Sequence, residues 1–134
     1  MEISKRDKTD LFSKSKSIIE LTPKNFDQIS TWKLKSPFGC SIVLFYAPWC
    51  PFCHKISEVW EKLAQTAGFF DVCAFNCEKH KKHLLKIKED MPELVKGFPT
   101  IIVYKNGEPI EQHMDEGNRT VESFLSLCMR ACKK

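Results

Sequence analysis

The chain has no long apolar run. Nowhere do about 20 apolar residues follow one another, the length a helix needs to cross a bilayer, so no membrane association is expected. The first 16 residues, mostly Lys, Asp, Glu and Ser, also lack the apolar stretch of roughly 7–15 residues that a secretory signal requires. A reducing compartment, the cytoplasm, is the resulting expectation. Charge of one sign is equally scarce: 21 Lys+Arg stand against 17 Asp+Glu, with no long one-sign block of the kind that forms a nucleic-acid arm or a polybasic anchor. No nucleic-acid partner is expected. Nor is the cysteine count even. Seven cysteines in 134 residues cannot all close into intramolecular disulfides, so at least one thiol stays free. In a reducing compartment a Cys-x-x-Cys is more often redox-active or metal-binding than a structural staple.

What is present suffices for one packed domain, with 43% hydrophobic residues in a chain of ordinary domain size. Residues 1–16 are polar and aperiodic and read as a flexible leader, or alternatively as a partner-binding arm, ahead of a domain over 17–134. Ser17 to Leu21 reads as a short strand. Thr22-Pro23 supplies an N-cap and a first-turn proline for a helix to about Leu34, with Phe26, Ile29, Trp32 and Leu34 as its stripe. Ile42-Val43-Leu44-Phe45-Tyr46 is apolar without alternation, the pattern of a central strand covered on both faces. A helix from Pro51 to about Ala67 follows, with Cys53, Ile56, Val59, Trp60 and Leu63 at helical spacing.

Phe69 to Phe75 reads as another buried strand, and Lys79 to Lys88 as a lysine-coated helix ending before Pro92. Thr100 to Tyr104 is a strand, Asn106-Gly107 a two-residue hairpin turn, and Pro109 to Met114 the return strand. A last helix starts at Thr120. Alternating strands and helices predict an α/β fold with a central mixed β-sheet flanked by helices on both faces.

The chemistry centres on Cys50-Pro51-Phe52-Cys53 at the strand-to-helix junction. A thiolate, not a thiol, attacks a disulfide sulfur. Cys50 stands at a helix N-terminus, where unpaired amides and the positive end of the helix dipole favour negative charge. Cys53, one turn on and inside the apolar face, is the natural resolving thiol. A permanent disulfide or half of a zinc site are the alternatives for the pair.

The whole pattern resembles the thioredoxin superfamily, most closely a catalytic domain of protein disulfide isomerase. Five ordered markers carry the resemblance: Ile19 to Phe26 (Ile-Glu-Leu-Thr-Pro-Lys-Asn-Phe), Phe45 to Cys50 (Phe-Tyr-Ala-Pro-Trp-Cys), Gly97-Phe98-Pro99-Thr100, Tyr104-Lys105-Asn106-Gly107 and Gly117-Asn118-Arg119-Thr120. It implies the thioredoxin fold and thiol–disulfide exchange, with no cofactor. Protein substrates bearing disulfides or dithiols would be the partners, together with a reductase or oxidase. By the same resemblance Cys50, Cys53, Pro99 and Arg119 would be catalytic. Pro99 would be a cis proline at the substrate edge, and Arg119 would favour the Cys53 thiolate by its charge. Trp49, Phe52 and Phe98 would meet substrate. Plain core packing for Trp49 and a solvated loop position for Arg119 are the competing readings.

Two departures qualify the resemblance. Where these families place a buried carboxylate as proton acceptor for the resolving thiol, this chain has Leu44. Water, the field of Arg119 or His54 would have to substitute, although His54 reads better as a solvent-facing residue. Phe52 offers the Cys50 thiolate neither positive charge nor a donor, so a reducing or intermediate potential is expected. The Pro51-Phe52 dipeptide leaves a glutaredoxin-like, glutathione-dependent reductase as one alternative, and a binding module on the same fold as another. The absence of a leader and of a terminal Lys-Asp-Glu-Leu sets the chain apart from endoplasmic-reticulum enzymes, and short leaderless proteins of large DNA viruses make a virion the alternative location.

Of the remaining cysteines, Cys73 is expected in the core and Cys77 in a more accessible position at a strand end. Cys128 is expected in the core and Cys132 frayed and exposed, with joint metal binding or subunit coupling as the alternative for this i, i+4 pair. Cys40 has no reading by itself. Lys79 to Lys88, with His80 and His83, reads as a solvated helix face, with an acidic partner or a metal as the alternative.

Overall fold

The computed structural model describes residues 11–35 and 38–133, so residues 1–10 of the expected leader lie outside the described residues. Five strands form one sheet: β1 (Ile19–Leu21), β2 (Cys40–Tyr46), β3 (Asp71–Asn76), β4 (Thr100–Lys105) and β5 (Glu108–Gln112). Their spatial order is β1-β3-β2-β4-β5. β1 and β2 run parallel to β3, while β4 is antiparallel to β2 and β5 to β4. Among the described residues three α-helices pack with the sheet: α1 (Pro51–Thr66), α2 (Lys81–Asp90) and α3 (Val121–Cys132).

The sheet divides the core in two. Ile42, Leu44 and Tyr46 of β2 meet Cys53, Ile56, Trp60 and Leu63 of α1 and Phe124, Leu127 and Cys128 of α3 on one face. Val43 and Phe45 meet Leu84 and Ile87 of α2 on the other. A strand covered on both faces must be apolar at every position, which is the physical reason that Ile42 to Tyr46 shows no alternation. Two large buried side chains have their polar atoms bonded within this frame: Trp60 Nε1 donates to the Cys73 carbonyl at 3.0 Å, and the Tyr104 hydroxyl to the Trp32 carbonyl at 2.8 Å.

Two expectations are corrected. Pro23 to Leu34 is not a helix. Thr22 caps a single 3-10 turn, Pro23–Asn25, with Asn25 closing the capping box. The Asp27 carboxylate then accepts from the amides of Ile29 and Ser30 at 2.8 and 3.1 Å, and Phe26 bridges back to Leu34. A short polar side chain that satisfies nearby amides competes with helix formation. Phe26 and Leu34 are buried while Ile29 is 89% exposed, so the supposed stripe never shares one face. The boundary drawn at residue 16 also falls inside packed structure. Phe12 is buried edge-on against Tyr46 with ring centroids 5.3 Å apart, and the Tyr46 hydroxyl accepts from the Leu11 amide at 3.3 Å. A leucine and a phenylalanine embedded in a polar stretch are enough to anchor it.

The β4–β5 hairpin turns at Asn106 (φ 52°) and Gly107 (φ 87°). A Cβ on Gly107 would lie 2.4 Å from the Leu34 carbonyl oxygen, so this turn admits only glycine without displacing the backbone. At the same end of the sheet Cys40, the first residue of β2, forms a disulfide with Cys132, the last residue of α3, across a Cα–Cα distance of 6.1 Å. Cys132 is therefore not the frayed thiol expected, because α3 packs antiparallel enough to β2 to bring its end onto the strand's start.

Candidate active site

The opposite end of β2 feeds directly into the Cys-x-x-Cys. After Tyr46 the chain turns, with the Cys50 amide donating to the Ala47 carbonyl at 3.0 Å. Cys50 is the N-cap of α1 and keeps extended backbone angles, while its carbonyl accepts from the amides of Cys53 and His54 at 3.1 and 3.2 Å. Pro51 occupies the first helical position, where a missing N–H leaves no bond unmade. Both Cys50 and Cys53 are free thiols.

Opposite Cys50 lies the turn into β4. The Phe98–Pro99 peptide bond is cis, and the Phe98 carbonyl stands 3.7 Å from Cys50 Sγ. The Thr100 hydroxyl closes this turn by donating to the Gly97 carbonyl at 2.6 Å. Trp49 and Phe52, 53% and 56% exposed, flank the thiol. The Trp49 ring meets Phe98 edge-on at 6.0 Å, and its Nε1 donates to Glu78 Oε1 at 3.1 Å. Trp49 is thus held in place at the surface rather than packed in the core. Beside Cys50 runs a groove of about 430 Å³, lined by Phe52, Phe98, Pro99, Met114 and Arg119 among others. Its lining mixes apolar Phe52, Phe98, Pro99 and Met114 with polar Lys96, Glu116 and Arg119.

Cys53 has a different environment. Its side chain is fully buried in the cluster that holds Leu44, Ile56 and Trp60. Burial pushes its thiol up to about 12. The Ala47 amide and the positive charge of Arg119 favour the thiolate, the neighbouring Cys50 opposes it, and burial prevails. Arg119 lies half-buried in the loop before α3, its Nε enclosed and without a hydrogen-bond partner, and it also lines a smaller cleft with Phe52, Lys55, Ile56 and Glu116. His54 is exposed and its ring bonds the Pro48 carbonyl, so it does not turn toward Cys53.

The tertiary structure therefore brings Trp49, Cys50, Phe52, Cys53, Phe98, Pro99 and Arg119 to one end of the sheet. Sequence reasoning missed Glu78, whose distance from Trp49 along the chain hides the contact; only the parallel pairing of β2 with β3 reveals it. Two further expectations are corrected. Cys77 is 1% exposed, because it follows β3 into the core, and burial raises its thiol well above the ordinary range. His83 does not belong to the solvated face of α2. It is buried against Phe26 and Phe75, its Nε2 is 2.9 Å from the Thr31 carbonyl, and burial lowers its pKa. Cys73 and Cys128 are fully buried.

Comparison with known proteins adds the family. The thioredoxin family model matches residues 17–129. Among curated proteins, the protein disulfide-isomerase like 2-2 of Arabidopsis thaliana is 32% identical over 124 residues, covering 92% of this chain and 25% of that protein. The protein disulfide-isomerase MPD1 of Saccharomyces cerevisiae is 40% identical over 89 residues, covering 66% and 26%. The chain thus spans about a quarter of the length of these relatives. Among solved structures, the J-Trx1 fragment of ERdj5 superposes with a TM-score of 0.72 at 22% identity, over 92% of this chain and 55% of that one. The Trx4 domain of ERdj5 gives 0.62 at 23% identity, over 83% and 91%.

Proposed function

The chain belongs to the thioredoxin family, and from that premise we propose that it exchanges disulfides with protein substrates through Cys50 and Cys53. The observation that carries this reading is a free thiol, Cys50, at the head of α1 and 3.7 Å from the Phe98 carbonyl, next to a groove lined by Phe52, Phe98 and Pro99 and one turn before a second free thiol. An extended substrate segment would lie along Phe98-Pro99 and place its disulfide over Cys50. The Cys50 thiolate attacks one substrate sulfur, and the other substrate sulfur leaves as a thiolate. Cys53 then gives up its proton and attacks Cys50 Sγ. The mixed disulfide breaks, the substrate departs as a dithiol, and Cys50–Cys53 is the oxidised product. A reductase or oxidase partner of the protein would reset the pair.

Phe52 beside Cys50 supports a reducing or intermediate potential, and a measured value near that of strong periplasmic oxidants, about −120 mV, contradicts it. For location, the Cys40–Cys132 bond favours surroundings that sustain a disulfide over the reducing compartment expected above. The redox state of that pair in cells discriminates between them.

The exchange reading is tested with Cys53→Ser. This variant is expected to accumulate proteins linked to Cys50 that are released by reductant and absent from Cys50→Ser/Cys53→Ser. If no Cys50-linked protein accumulates, the reading fails.

A further inference from the structure

Resting on the exchange reading just proposed, the charges around Cys50 bear on the kind of substrate it takes. On the Trp49 flank the charge is negative: Glu78 is exposed and accepts from Trp49 Nε1. On the Phe52 flank it is positive. The groove beside Cys50 adjoins a smaller cleft of about 320 Å³, since Phe52, Glu116 and Arg119 line both. Together the linings carry three cations, Lys55, Lys96 and Arg119, against one carboxylate, Glu116. Lys96 is already paired with Glu93 at 2.8 Å, and the Lys55 ammonium lies 5.8 Å from the centroid of the Phe52 ring. Arg119 differs from both. It is half-buried, its Nε is enclosed without a hydrogen-bond partner, and among the described residues no carboxylate pairs with it, Glu116 included. A guanidinium taken partly out of water and left unpaired costs stability, and a carboxylate meeting its outer nitrogens offsets that cost in a two-point geometry. The charge of Arg119 also reaches Cys53, which places it close to the reacting pair.

We propose that the cleft between Phe52 and Arg119 is a specificity subsite, selecting protein disulfides that carry an Asp or Glu within a few residues of the attacked cysteine and on one side of it only. Arg119 receives the carboxylate and sets the preference, and the exposed Lys55 adds attraction at longer range. Glu78 on the Trp49 flank repels an acid there, so the preference has a direction along the substrate chain. No bond is made or broken at the subsite, and the exchange at Cys50 and Cys53 is unchanged. A general attraction from the net charge of +4 would instead act on both sides alike.

The test uses reduced full-length protein and peptides with a single cysteine joined to 5-thio-2-nitrobenzoate, identical except for Glu, Gln or Lys at one position before or after that cysteine. The aromatic thiolate leaves in preference to the peptide, so its release times attack of Cys50 on the peptide sulfur. Any action of Arg119 on Cys53 stays out of this reading. Each rate is divided by that of the same peptide with a small neutral thiol, which removes the peptide's own reactivity. On the favoured side Glu is expected to be captured at least roughly tenfold faster than Lys, as for a hydrogen bond between charged groups. On the other side Glu should have no advantage. Arg119→Gln is expected to reduce the ratio to about threefold or less by slowing the Glu peptide alone, and Arg119→Glu to invert it. No advantage of Glu on either side, an equal advantage on both, or Arg119→Gln slowing all peptides alike overturns the inference. If the Arg119 variants do not fold, salt decides: the one-sided preference of the natural protein should shrink at least about threefold at roughly 1 M salt, and a preference indifferent to salt refutes it. Absence of release from every peptide would instead count against exchange at Cys50 itself, so the two failures are distinguishable.

Discussion

The two ends of β2 carry the same functional group and use it in opposite ways. At its first residue Cys40 is bonded to Cys132, and beyond its last residue Cys50 and Cys53 are free. Helix polarity separates them: Cys50 caps the N-terminus of α1, where negative charge is favoured, and Cys132 is the last residue of α3, where it is disfavoured. Sequence separation does the rest. The Cys40–Cys132 bond closes 92 residues of chain, so it constrains the unfolded state strongly, whereas two residues between Cys50 and Cys53 constrain almost nothing. One pair can therefore hold the fold together, while opening or closing the other would leave the chain folded.

The comparison breaks most sharply at the reactive end. Cys50→Ser should lower reduction of a protein disulfide by about three orders of magnitude or more while leaving the thermal midpoint nearly unchanged, as insulin turbidity and calorimetry would show. The converse experiment is Cys40→Ala with Cys132→Ala. It should cost about 4.6 kcal/mol in the chain-entropy account and lower the midpoint by roughly 10–20 °C, with the reactivity of Cys50 toward disulfides retained. If that double variant instead abolishes Cys50 reactivity in the folded protein, the two ends are not independent.

A smaller effect is expected from Gly107→Ala at the bonded end. The added Cβ must displace the Leu34 carbonyl and the residue must hold a positive φ, at a cost of about 1–3 kcal/mol by denaturant titration and without change in exchange.

The least expected effect is that of acid on the reactive flank. Burial lowers the pKa of His113, whose Nε2 is 2.9 Å from the Ser123 hydroxyl on α3. The unfolded state binds the proton first, so this contribution to stability is present above the unfolded value near 6.5 and is lost as pH falls through the lowered folded value. His113→Gln should flatten that part of the stability profile by about 1 kcal/mol per pH unit or less.

Much of this was legible beforehand because it depends on local chemistry. The unbroken apolar run of β2, the Asn106-Gly107 turn, the Thr120 cap of α3 and the first-turn Pro51 each follow from their own residues and immediate neighbours. The failed helix after Pro23 shows the limit. Its apolar residues approximate a helical spacing, but Asp27 bonds its own downstream amides, and Leu34 returns to Phe26 because the second core layer needs both. Phe12 was illegible for the opposite reason, being one aromatic residue in a polar stretch whose partner, Tyr46, is remote in sequence.

By itself the sequence determined the α/β fold, the family and the pair Cys50–Cys53, since periodicity, caps and motif spacing act over a few residues. Only the tertiary structure decided which other cysteines meet, and that Trp49 is held by Glu78 and Cys53 is enclosed with Leu44. Those outcomes depend on strand order and on which helix covers which face, and burial, which sets whether a thiol can ionise, is a property of that packing rather than of the residue.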